Sequence, residues 1–537
     1  MILCKRAIAL LAPILLAARA FAYDYDILVY GSTPAGIQAA VAAAGEGRTA
    51  LIVSPTARIG GMMTGGLGAS DIGNASAIGG ASLRFFLEVC KHYSKPNATE
   101  GCWHFEPHVA LKLFDELLAA HPSVRVLTNA TLVSVARAGA TIVSVTTAET
   151  ALVETADTLP SGAATTVITA AIFVDATYEG DLLAAAQIPT VIGRESAEVY
   201  NESHAGVLTE PSPFGKHQFD GSLDPIDAAT GEPLPQIMRG PPGAVGSGDR
   251  RVQAYNYRLC MTANKSNARP FPKPHLYDPH DWELLRRFLN ASKPKSIASI
   301  MNLVSVPGGK TDTNNNGPVS TDFIGGSWAW PTATPAARRE IWAAHYAYTT
   351  GFLFTLQHDT GVDAALRAEA LQWGLAADEF VETDGWPAQL YVREGRRLLG
   401  EYVFTQQDRQ FDLRKSDSVG LFSYNIDSHH VQRYIDPTTR RVLNEGDFEQ
   451  YGGPLGQIPL RSLLPKRADA TNLFAPVPLS ASHMGYGCLR VEPQLMIIGE
   501  AVGVAAALAV STGVAVQDIH VPTLQARLRA LGAKIDL

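Results

Sequence analysis

Residues 23–55 have the sequence YDYDILVYGSTPAGIQAAVAAAGEGRTALIVSP, which limits the possible folds of the chain more than any other stretch. It contains a short apolar run, a glycine turn, an alanine-rich segment and a second apolar run, which is the order of a strand–helix–strand unit. The small side chains of the middle segment allow its helix to lie close to a sheet. The stretch therefore predicts an α/β protein built on parallel strands.

The glycine turn departs from the dinucleotide fingerprint G-x-G-x-x-G at one position. Gly31 and Gly36 keep the first and third glycines, which provide the tight turn and close helix–strand packing, whereas Thr33 stands at the second. Pro34 suits the first helical position, and the helix N-terminus still faces a potential anion. Ser54 stands where an acid usually binds the ribose. Taken alone, the stretch fits either a dinucleotide site or a plain strand–helix–strand unit.

The length of the chain indicates how many lobes it forms, and its net charge indicates which partners it can bind. A chain of 537 residues exceeds one ordinary core, so we expect two or more lobes. The formal net charge of -8, without a run of basic residues, argues against a nucleic-acid partner. Proline and glycine become frequent between residues 180 and 465, where helices are predicted at 336–357 and 364–373. We predict a lobe at 196–465 inserted into a domain formed by 23–195 and 466–537.

The first 22 residues have the pattern of a signal peptide. Lys5 and Arg6 precede an apolar run at residues 7–16 that is too short to span a bilayer, and A-F-A at 20–22 is a small-x-small cleavage site. We therefore predict a secreted protein without stable membrane insertion, whose mature chain begins near Tyr23.

If the protein is secreted, its sequons can be glycosylated and its cysteines can form disulfides. In a eukaryotic host, N-glycosylation is predicted at several of the N-x-S/T sites, which are Asn74, Asn97, Asn129, Asn201, Asn264 and Asn290. Asn129 is expected to be buried. In an oxidising compartment Cys90 and Cys102 are expected to form a local disulfide. Cys260 and Cys488 are expected to be buried free thiols.

Three later segments extend the glycine-turn pattern: ARIGGMMTGGLG (57–68), FVDATYEGDL (173–182) and RVEPQLMIIGEAVGVAAALA (490–509). Together they resemble the FAD-dependent oxidoreductases of the glutathione-reductase-like superfamily. More narrowly, the chain is similar to the secreted and bacterial FAD-dependent oxidoreductase family that opens with G-x-T-P-A-G-I and continues with L-G-G-M. The family's threonine matches Thr33, whereas Ser54 is a departure. The resemblance extends through QAYNYRLCMT (253–262), GGKTDTNNNG (308–317), LYVREGRRLLGEYVFT (390–405) and SASHMGYGCLRVEP (480–493).

The resemblance implies a glutathione-reductase-like FAD-binding Rossmann domain with an inserted α+β substrate lobe. It also implies FAD as cofactor, with the helix beginning at the late glycine motif near Gly499. The implied FAD contacts are Gly31, Pro34, Ala35 and Gly36 at the pyrophosphate, Val133 at the adenine, Thr177 over the nucleotide, and Arg58, Gly60, Gly61, Met62, Gly499, Glu500 and Gly503 towards the ribitol and flavin. Ser54, although it departs from the family, is added as a ribose contact because its hydroxyl can bond a ribose oxygen.

No second dinucleotide fingerprint follows, which favours an enzyme without a dedicated NAD(P)H domain. We expect it to oxidise a small organic substrate by hydride transfer to the flavin and to pass electrons to oxygen or another diffusible acceptor. His483, in the block before the last flavin motif, is the predicted proton acceptor. Arg490 is predicted either to fix an anionic substrate or the flavin O2 region, or to pair with Glu492.

Two alternatives stay open at this stage. In REGRR, Arg393 and Arg397 would lie one helical turn apart and clamp a substrate carboxylate, unless they pair with Glu394 or Glu401 on a solvated face. The clamp favours a flavin-dependent desaturase or fumarate-reductase-like enzyme acting on an acid. The other alternative is a secreted carbohydrate-active protein that keeps a flavin fold without redox turnover.

Two patterns resemble metal sites, and neither is assigned. Asp312, Asn314 and Asn316 match half of a calcium loop, but Phe323 stands where the bidentate glutamate belongs, so we predict a polar loop lining the cleft. A pair of histidines at positions 104 and 108 has Pro107 between them, which argues against a shared helical face and a zinc site.

Overall fold

The computed structural model describes residues 23–154, 162–209, 212–219 and 223–537. The predicted signal peptide lies outside these residues. Up to residue 200 the strands are β1 (Tyr25–Tyr30), β2 (Ala50–Val53), β3 (Val124–Leu127), β4 (Ala130–Ala138), β5 (Thr141–Glu149), β6 (Thr165–Asp175) and β7 (Thr190–Val191). The helices of this part are α1 (Pro34–Gly45), α2 (Gly61–Gly65), α3 (Gly80–His92), α4 (Pro107–Ala119), α5 (Thr150–Glu154), α6 (Asp181–Ala185) and α7 (Ala197–Tyr200).

The middle of the chain is rich in short strands, which are β8 (Leu259–Thr262), β9 (Ala268–Arg269), β10 (Met301–Val306), β11 (Lys310–Asn315), β12 (Gly374–Ala376), β13 (Arg397–Leu398), β14 (Ser418–Phe422), β15 (Ile426–Ser428), β16 (Gln432–Ile435), β17 (Val442–Glu445), β18 (Phe448–Gln450) and β19 (Gly456–Pro459). Its helices are α8 (Glu283–Ser292), α9 (Pro335–His358), α10 (Ala364–Ala370) and α11 (Gln406–Gln410). The chain ends with β20 (Leu473–Phe474), α12 (His483–Gly487), α13 (Glu492–Thr512) and α14 (Val521–Ala530).

A parallel sheet forms the centre of the first domain. Its strand order is β3-β2-β1-β6, and β20 also pairs with β6. The pairs among these five strands are all parallel. Every residue of β2 is buried, as expected for a strand covered on both faces. The first half of β6 continues into an antiparallel meander with β5 and β4. The predicted α/β class with a parallel dinucleotide-type sheet is confirmed.

The middle of the chain builds a different sheet, of order β10-β11-β8-β12-β9. Its pairs are antiparallel. The two predicted helices are present as α9 and α10. Because β20 returns to the first sheet after this segment, the topology is that of an insertion. The boundaries at 195/196 and 465/466 stay a prediction.

The helix predicted to begin near Gly499 begins at Glu492 instead, which corrects the sequence-based assignment. Pro493 lies in its first turn, where proline favours a helix start. Gly499 and Gly503 therefore lie inside α13, against α1. A Cβ atom at Gly499 would lie 2.3 Å from the Ala35 carbonyl oxygen. The helix is long and apolar enough to cross a membrane, but 83% of its most apolar window is buried inside the protein.

The four cysteines after residue 22 and the predicted glycosylation sites are all within the described residues. Cys90 and Cys102 form the predicted disulfide, and Cys260 and Cys488 are buried free thiols as predicted. All six sequon asparagines are exposed. The expectation that Asn129 is buried is wrong, because this residue forms the turn between β3 and β4 with φ 53°, a region that asparagine tolerates well.

Candidate functional site

A cavity of about 370 Å³ opens where the parallel strands end. Residues 31–33 follow β1, residues 54–56 follow β2, and Thr177 follows β6, and all of these line the cavity. The crevice at the carboxyl ends of the strands is where open α/β sheets bind their ligands. We call this space the first cavity.

The glycine turn explains why threonine replaces the second glycine. Thr33 is the N-cap of α1 with φ -65°, so it needs no glycine conformation, and its Oγ1 accepts the Gly36 N–H at 3.2 Å and donates to the Ala176 carbonyl at 2.8 Å. Gly31 has φ +107°, which requires glycine. A Cβ at Gly36 would lie 2.2 Å from the Gly31 carbonyl oxygen, so both outer glycines are sterically required.

The predicted cofactor residues divide into three groups. Gly31, Ser54, Gly61 and Thr177 line the first cavity. Pro34, Ala35 and Gly36 form the first turn of α1, whereas Arg58, Gly60, Met62, Val133, Gly499, Glu500 and Gly503 lie outside the lining. Ser54 already bonds to the Ser32 hydroxyl at 2.7 Å and to the Thr56 carbonyl at 2.9 Å. Direct contact of each residue with FAD stays a prediction.

Three of the predicted contacts have other partners or positions. Arg58 forms an ion pair with Glu382 at 2.5 Å, and it donates to the Thr64 carbonyl at 2.7 Å. Glu500, in the middle of α13, pairs with Arg84 at 2.5 Å. Val133 is 39% exposed on β4.

Several residues that line the first cavity were not predicted to belong to the site. Thr131 lines it from β4, two residues before Val133. Arg339 and Trp342 line it from α9, where the sequence had indicated only a helix of the second lobe. Arg339 is exposed and belongs to none of the ion pairs of the described residues. These two residues present a cation and an aromatic ring, which suit a phosphate and a base.

A second cavity of about 410 Å³ lies in the inserted region and is lined mainly by polar groups. Its walls come from the β10–β11 hairpin, from β8 and its approach, and from the segment around β15. The lining residues are Asp71, Lys216, His217, Arg258, Asn302, Asn314, Asn315, Asn316, Arg393, Tyr424, Asp427, His429, Glu449 and Tyr451. Asn314–Asn316 thus line the cleft as predicted, although β11 shows that most of the stretch is strand rather than loop.

His429 is the histidine with the geometry of a proton acceptor in this cavity. Its Nδ1 lies 2.7 Å from a carboxylate oxygen of buried Asp322, whose other oxygen accepts from Arg393 at 2.9 Å. The Nε2 atom lies 3.8 Å from Asp427. Burial alone would raise the pKa of Asp322, but Arg393 and His429 outweigh it and hold the pKa well below the usual range. The ionised carboxylate fixes the proton on Nδ1 and leaves Nε2 as the basic nitrogen.

His483, the predicted proton acceptor, has both ring nitrogens occupied. Nδ1 lies 2.8 Å from Glu394, and Nε2 lies 3.0 Å from the Ser428 hydroxyl. Burial opposes ionisation of Glu394, but His483 and Arg397 outweigh it and lower its pKa to about 2. His483 is 4% exposed and lines neither cavity. Of these two histidines, only His429 lines a cavity and has a ring nitrogen without a hydrogen-bond partner among the described residues. The sequence signal was weak, because Asp322 lies 107 residues before His429.

The arginine clamp is not formed, and the helical assumption behind it is wrong. Residues 392–396 form no helix, and Arg397 begins the strand β13. Arg393 points to Asp322 in the second cavity. Arg397 is fully buried and pairs with Glu195 at 2.7 Å. The two side chains therefore serve different partners.

The segment 490–494, at the start of α13, links the two cavities. Glu492 accepts from the Tyr178 hydroxyl at 2.5 Å, and Tyr178 lines the first cavity. Arg490 donates to Asp427 at 2.7 Å, and Asp427 lines the second cavity. The predicted alternative in which Arg490 pairs with Glu492 is therefore not observed.

The same segment contains buried polar atoms that have no partner within the part of the chain that the structure describes, which bears on the fit of FAD. Gln494 is fully buried, yet neither of its side-chain polar atoms has a partner among the described residues. One oxygen of Glu492 and Nε of Arg490 are also unpartnered. Buried polar groups are rarely left unpaired, and the donor and acceptor edge of a flavin pyrimidine ring would satisfy such a set. The glycine turn at the first cavity and the unpartnered polar groups at the start of α13 are both features that suit FAD.

One cluster has the composition of a metal site. Ligand atoms of Glu106, His108 and Glu379 lie within 4.8 Å of one another. The ammonium group of Lys310 lies between the two acids, 2.7 Å from Glu106 and 2.8 Å from Glu379. The ammonium group of a buried lysine thus occupies the space between the acids, as in a structural ion-pair cluster. Asp312 of the suspected calcium motif is likewise bonded to Arg258, at 2.6 Å.

A family model for FAD dependent oxidoreductases matches residues 26–528. No curated protein sequence matches the chain significantly. Solved structures match in part. The chain is 19% identical to THI4 of Thermovibrio ammonificans over 32% of this chain and 66% of that one, with a TM-score of 0.24. It is 13% identical to the glycerol-3-phosphate dehydrogenase from Bacillus halodurans complexed with FAD, over 34% and 42%, with a TM-score of 0.20.

The chain covers less than two thirds of the length of each of these structures. The family match is different in extent, because it spans nearly the whole chain and includes both cavities. The chain therefore belongs to the FAD dependent oxidoreductase family, and FAD is its cofactor.

Proposed function

We propose that this chain is a secreted FAD-dependent oxidoreductase that oxidises a small polar molecule in the second cavity. Family membership supports the cofactor and the class of reaction. The observation that carries the location of the chemistry is the pair of His429 and Asp322, joined at 2.7 Å at the wall of that cavity.

The proposed chemistry is general-base oxidation. The Nε2 atom of His429 takes the proton from a substrate hydroxyl or amine as the adjacent carbon is oxidised. Asp322 holds the imidazole in one tautomer and stabilises the imidazolium that forms, and Arg393 keeps Asp322 ionised. FAD, when bound, supplies the acceptor for the two electrons and the hydrogen that leave the substrate carbon.

Other parts of the proposal have separate support. The sequence contains no second dinucleotide fingerprint, which favours oxygen or another diffusible molecule as the electron acceptor. Secretion is supported by the N-terminal sequence pattern, by the Cys90–Cys102 disulfide and by the exposure of all six sequon asparagines. We propose the same two-part domain with an inserted lobe, supported by the return of β20 to the first sheet.

The two alternative functions, an acid-specific desaturase and a non-redox carbohydrate-active protein, have less support. An acid-specific desaturase rested on the clamp of Arg393 and Arg397, and each of these arginines is paired with a carboxylate. A non-redox carbohydrate-active protein would show no substrate-dependent bleaching of its flavin absorbance.

The test compares His429→Ala with His483→Ala in FAD-loaded protein. Flavin absorbance after gel filtration measures retained FAD, and anaerobic rapid mixing with a panel of alcohols, sugars and amines measures flavin reduction. We expect His429→Ala to retain FAD and to slow reduction by roughly a hundred-fold or more, with partial recovery at high pH. His483→Ala, matched in size and chemistry, is expected to affect thermal stability more than rate. A normal rate in folded His429→Ala together with a slow His483→Ala would return the role to His483.

A further inference from the structure

Every arginine and lysine that lines the second cavity has an acidic partner. Lys216 lies 2.5 Å from Glu449, Arg258 lies 2.6 Å from Asp312, and Arg393 lies 2.9 Å from Asp322. Arg490, which lies behind the lining residue Asp427, lies 2.7 Å from it. Within the described residues, the cavity therefore offers no uncompensated arginine or lysine to bind a carboxylate or phosphate.

The groups that remain available suit hydroxyls. Asp71 lines the cavity and has no hydrogen-bond partner among the described residues. The same holds for the side chains of Asn302 and Asn315. The amide nitrogen of Asn314 is also available, because only its oxygen is engaged, by Asn256 at 2.8 Å. A hydroxyl both donates and accepts, so several hydroxyls on one ring would satisfy this mixture of acid and amides.

An aromatic ring completes the cavity at its rim. Tyr451 is 64% exposed although it lines the cavity, and Lys216 lies over its ring at 4.3 Å from the centroid. An exposed aromatic ring beside a polar wall has an apolar body with a polar tip. It matches a ligand with one apolar C–H face and polar edges.

We propose that the second cavity binds a neutral carbohydrate, with Asp71 and the asparagines of the β10–β11 hairpin bonded to its hydroxyls and Tyr451 stacked on its ring. This inference rests on the proposed function, because it names the substrate class of the same site. The recognised chemistry is the sugar ring, whether it is free or belongs to a longer glycan.

Binding is measured by anaerobic calorimetry on the full FAD-loaded chain. The neutral probes are methyl β-D-glucopyranoside, methyl β-D-galactopyranoside, cellobiose and cellotetraose, the last two to distinguish a free sugar from a glycan end. The matched charged probe is methyl β-D-glucuronide, which has the same ring with a carboxylate in place of the hydroxymethyl group. We expect at least one neutral probe to bind, and the uronide to bind at least roughly tenfold more weakly than its glucoside, since a buried unpaired charge is costly.

Variants connect the binding to the named residues. Asp71→Asn should weaken binding of the neutral sugar up to roughly tenfold, because an amide oxygen accepts a weaker hydrogen bond than a carboxylate oxygen does. Asn302→Ala tests the same wall with an exposed residue, in case Asp71→Asn does not fold. Tyr451→Ala should weaken binding severalfold, whereas Phe411→Ala, which removes an aromatic ring that is 77% exposed outside both cavities, should not.

The outcomes separate the inference from the proposed function. Sugar binding without flavin bleaching by any compound would support the inference and overturn the proposed oxidation. Bleaching by an amine or an acid, with no binding of any neutral sugar, would overturn the inference and leave the oxidation standing. Tighter binding of the uronide than of the glucoside would also overturn the inference.

Discussion

Replacing Gly503 by alanine should destabilise the protein by forcing α13 away from α1. The added Cβ would lie 2.2 Å from the Ala39 carbonyl oxygen and 2.7 Å from the Ala42 Cβ. Because the first neighbour is helix backbone, it cannot turn aside as a flexible side chain would. Overpacking of a core costs up to about 3 kcal/mol, and alanine gains about 1 kcal/mol over glycine inside a helix. We expect a net loss of about 2 kcal/mol in the free energy of unfolding.

The matched control is Gly45→Ala at the end of α1. No atom lies within 4 Å of the Cβ position of Gly45, so the helix gain should appear without the clash. Urea titrations of the FAD-free chain, followed by tryptophan fluorescence, compare the two variants with the parent protein. Gly45→Ala should be equal to the parent or slightly more stable, whereas Gly503→Ala should unfold at lower urea.

The same pair of variants decides between packing and cofactor contact for the glycines of α13. If Gly503 touches FAD, as the sequence resemblance implied, alanine should weaken FAD binding and leave the stability of the FAD-free chain unchanged. If it packs on α1, the FAD-free chain itself should be destabilised. A FAD-free Gly503→Ala protein as stable as the parent would refute the packing argument.

Three further predictions follow from single contacts. Cys90→Ser opens the Cys90–Cys102 loop and should lower the free energy of unfolding by about 3 kcal/mol; an unchanged urea midpoint would contradict it. Burial raises the pKa of Glu492 to about 8, above its ordinary value of 4.5, so the FAD-free chain should lose stability as pH rises between these values. Glu492→Gln should remove that loss in urea titrations at about pH 5 and pH 8, and an equal pH dependence in both proteins would argue against it. Asp322→Asn should retain FAD but slow flavin reduction at least roughly tenfold, and a normal rate would exclude the His429 assignment.

The first domain could be predicted from the sequence because its signals are local. The bounds of β1 match the apolar run, and α1 begins at the proline that precedes the alanine-rich segment. The disulfide pairs two cysteines separated by 12 positions. In each case the residues that determine the structure lie within a few turns or strands of one another.

The start of α13 was mispredicted because glycine has two uses. A glycine near a helix N-terminus leaves room for a ligand, and a glycine inside a helix leaves room for another helix. Only the position of α1, which lies more than 450 residues earlier in the chain, shows that Gly499 and Gly503 leave room for another helix, and their contact with FAD stays a prediction.

The predicted substrate changes from an acid to a neutral molecule, again because of a contact between residues that are distant in sequence. A basic side chain attracts an acidic substrate only if no acidic side chain of the protein is paired with it. Arg393 indicated an acidic substrate as long as its partner was unknown, but Asp322 lies 71 residues earlier and neutralises it. The acid-binding hypothesis and the carbohydrate proposal therefore differ in whether this one guanidinium is compensated. Asp322→Asn removes the compensating charge while Arg393 keeps its bond to the Ala254 carbonyl at 2.9 Å. We expect this variant to gain affinity for methyl β-D-glucuronide relative to methyl β-D-glucopyranoside in the same calorimetry. An unchanged ratio of the two affinities would show that pairing of Arg393 does not set the preference for a neutral ligand.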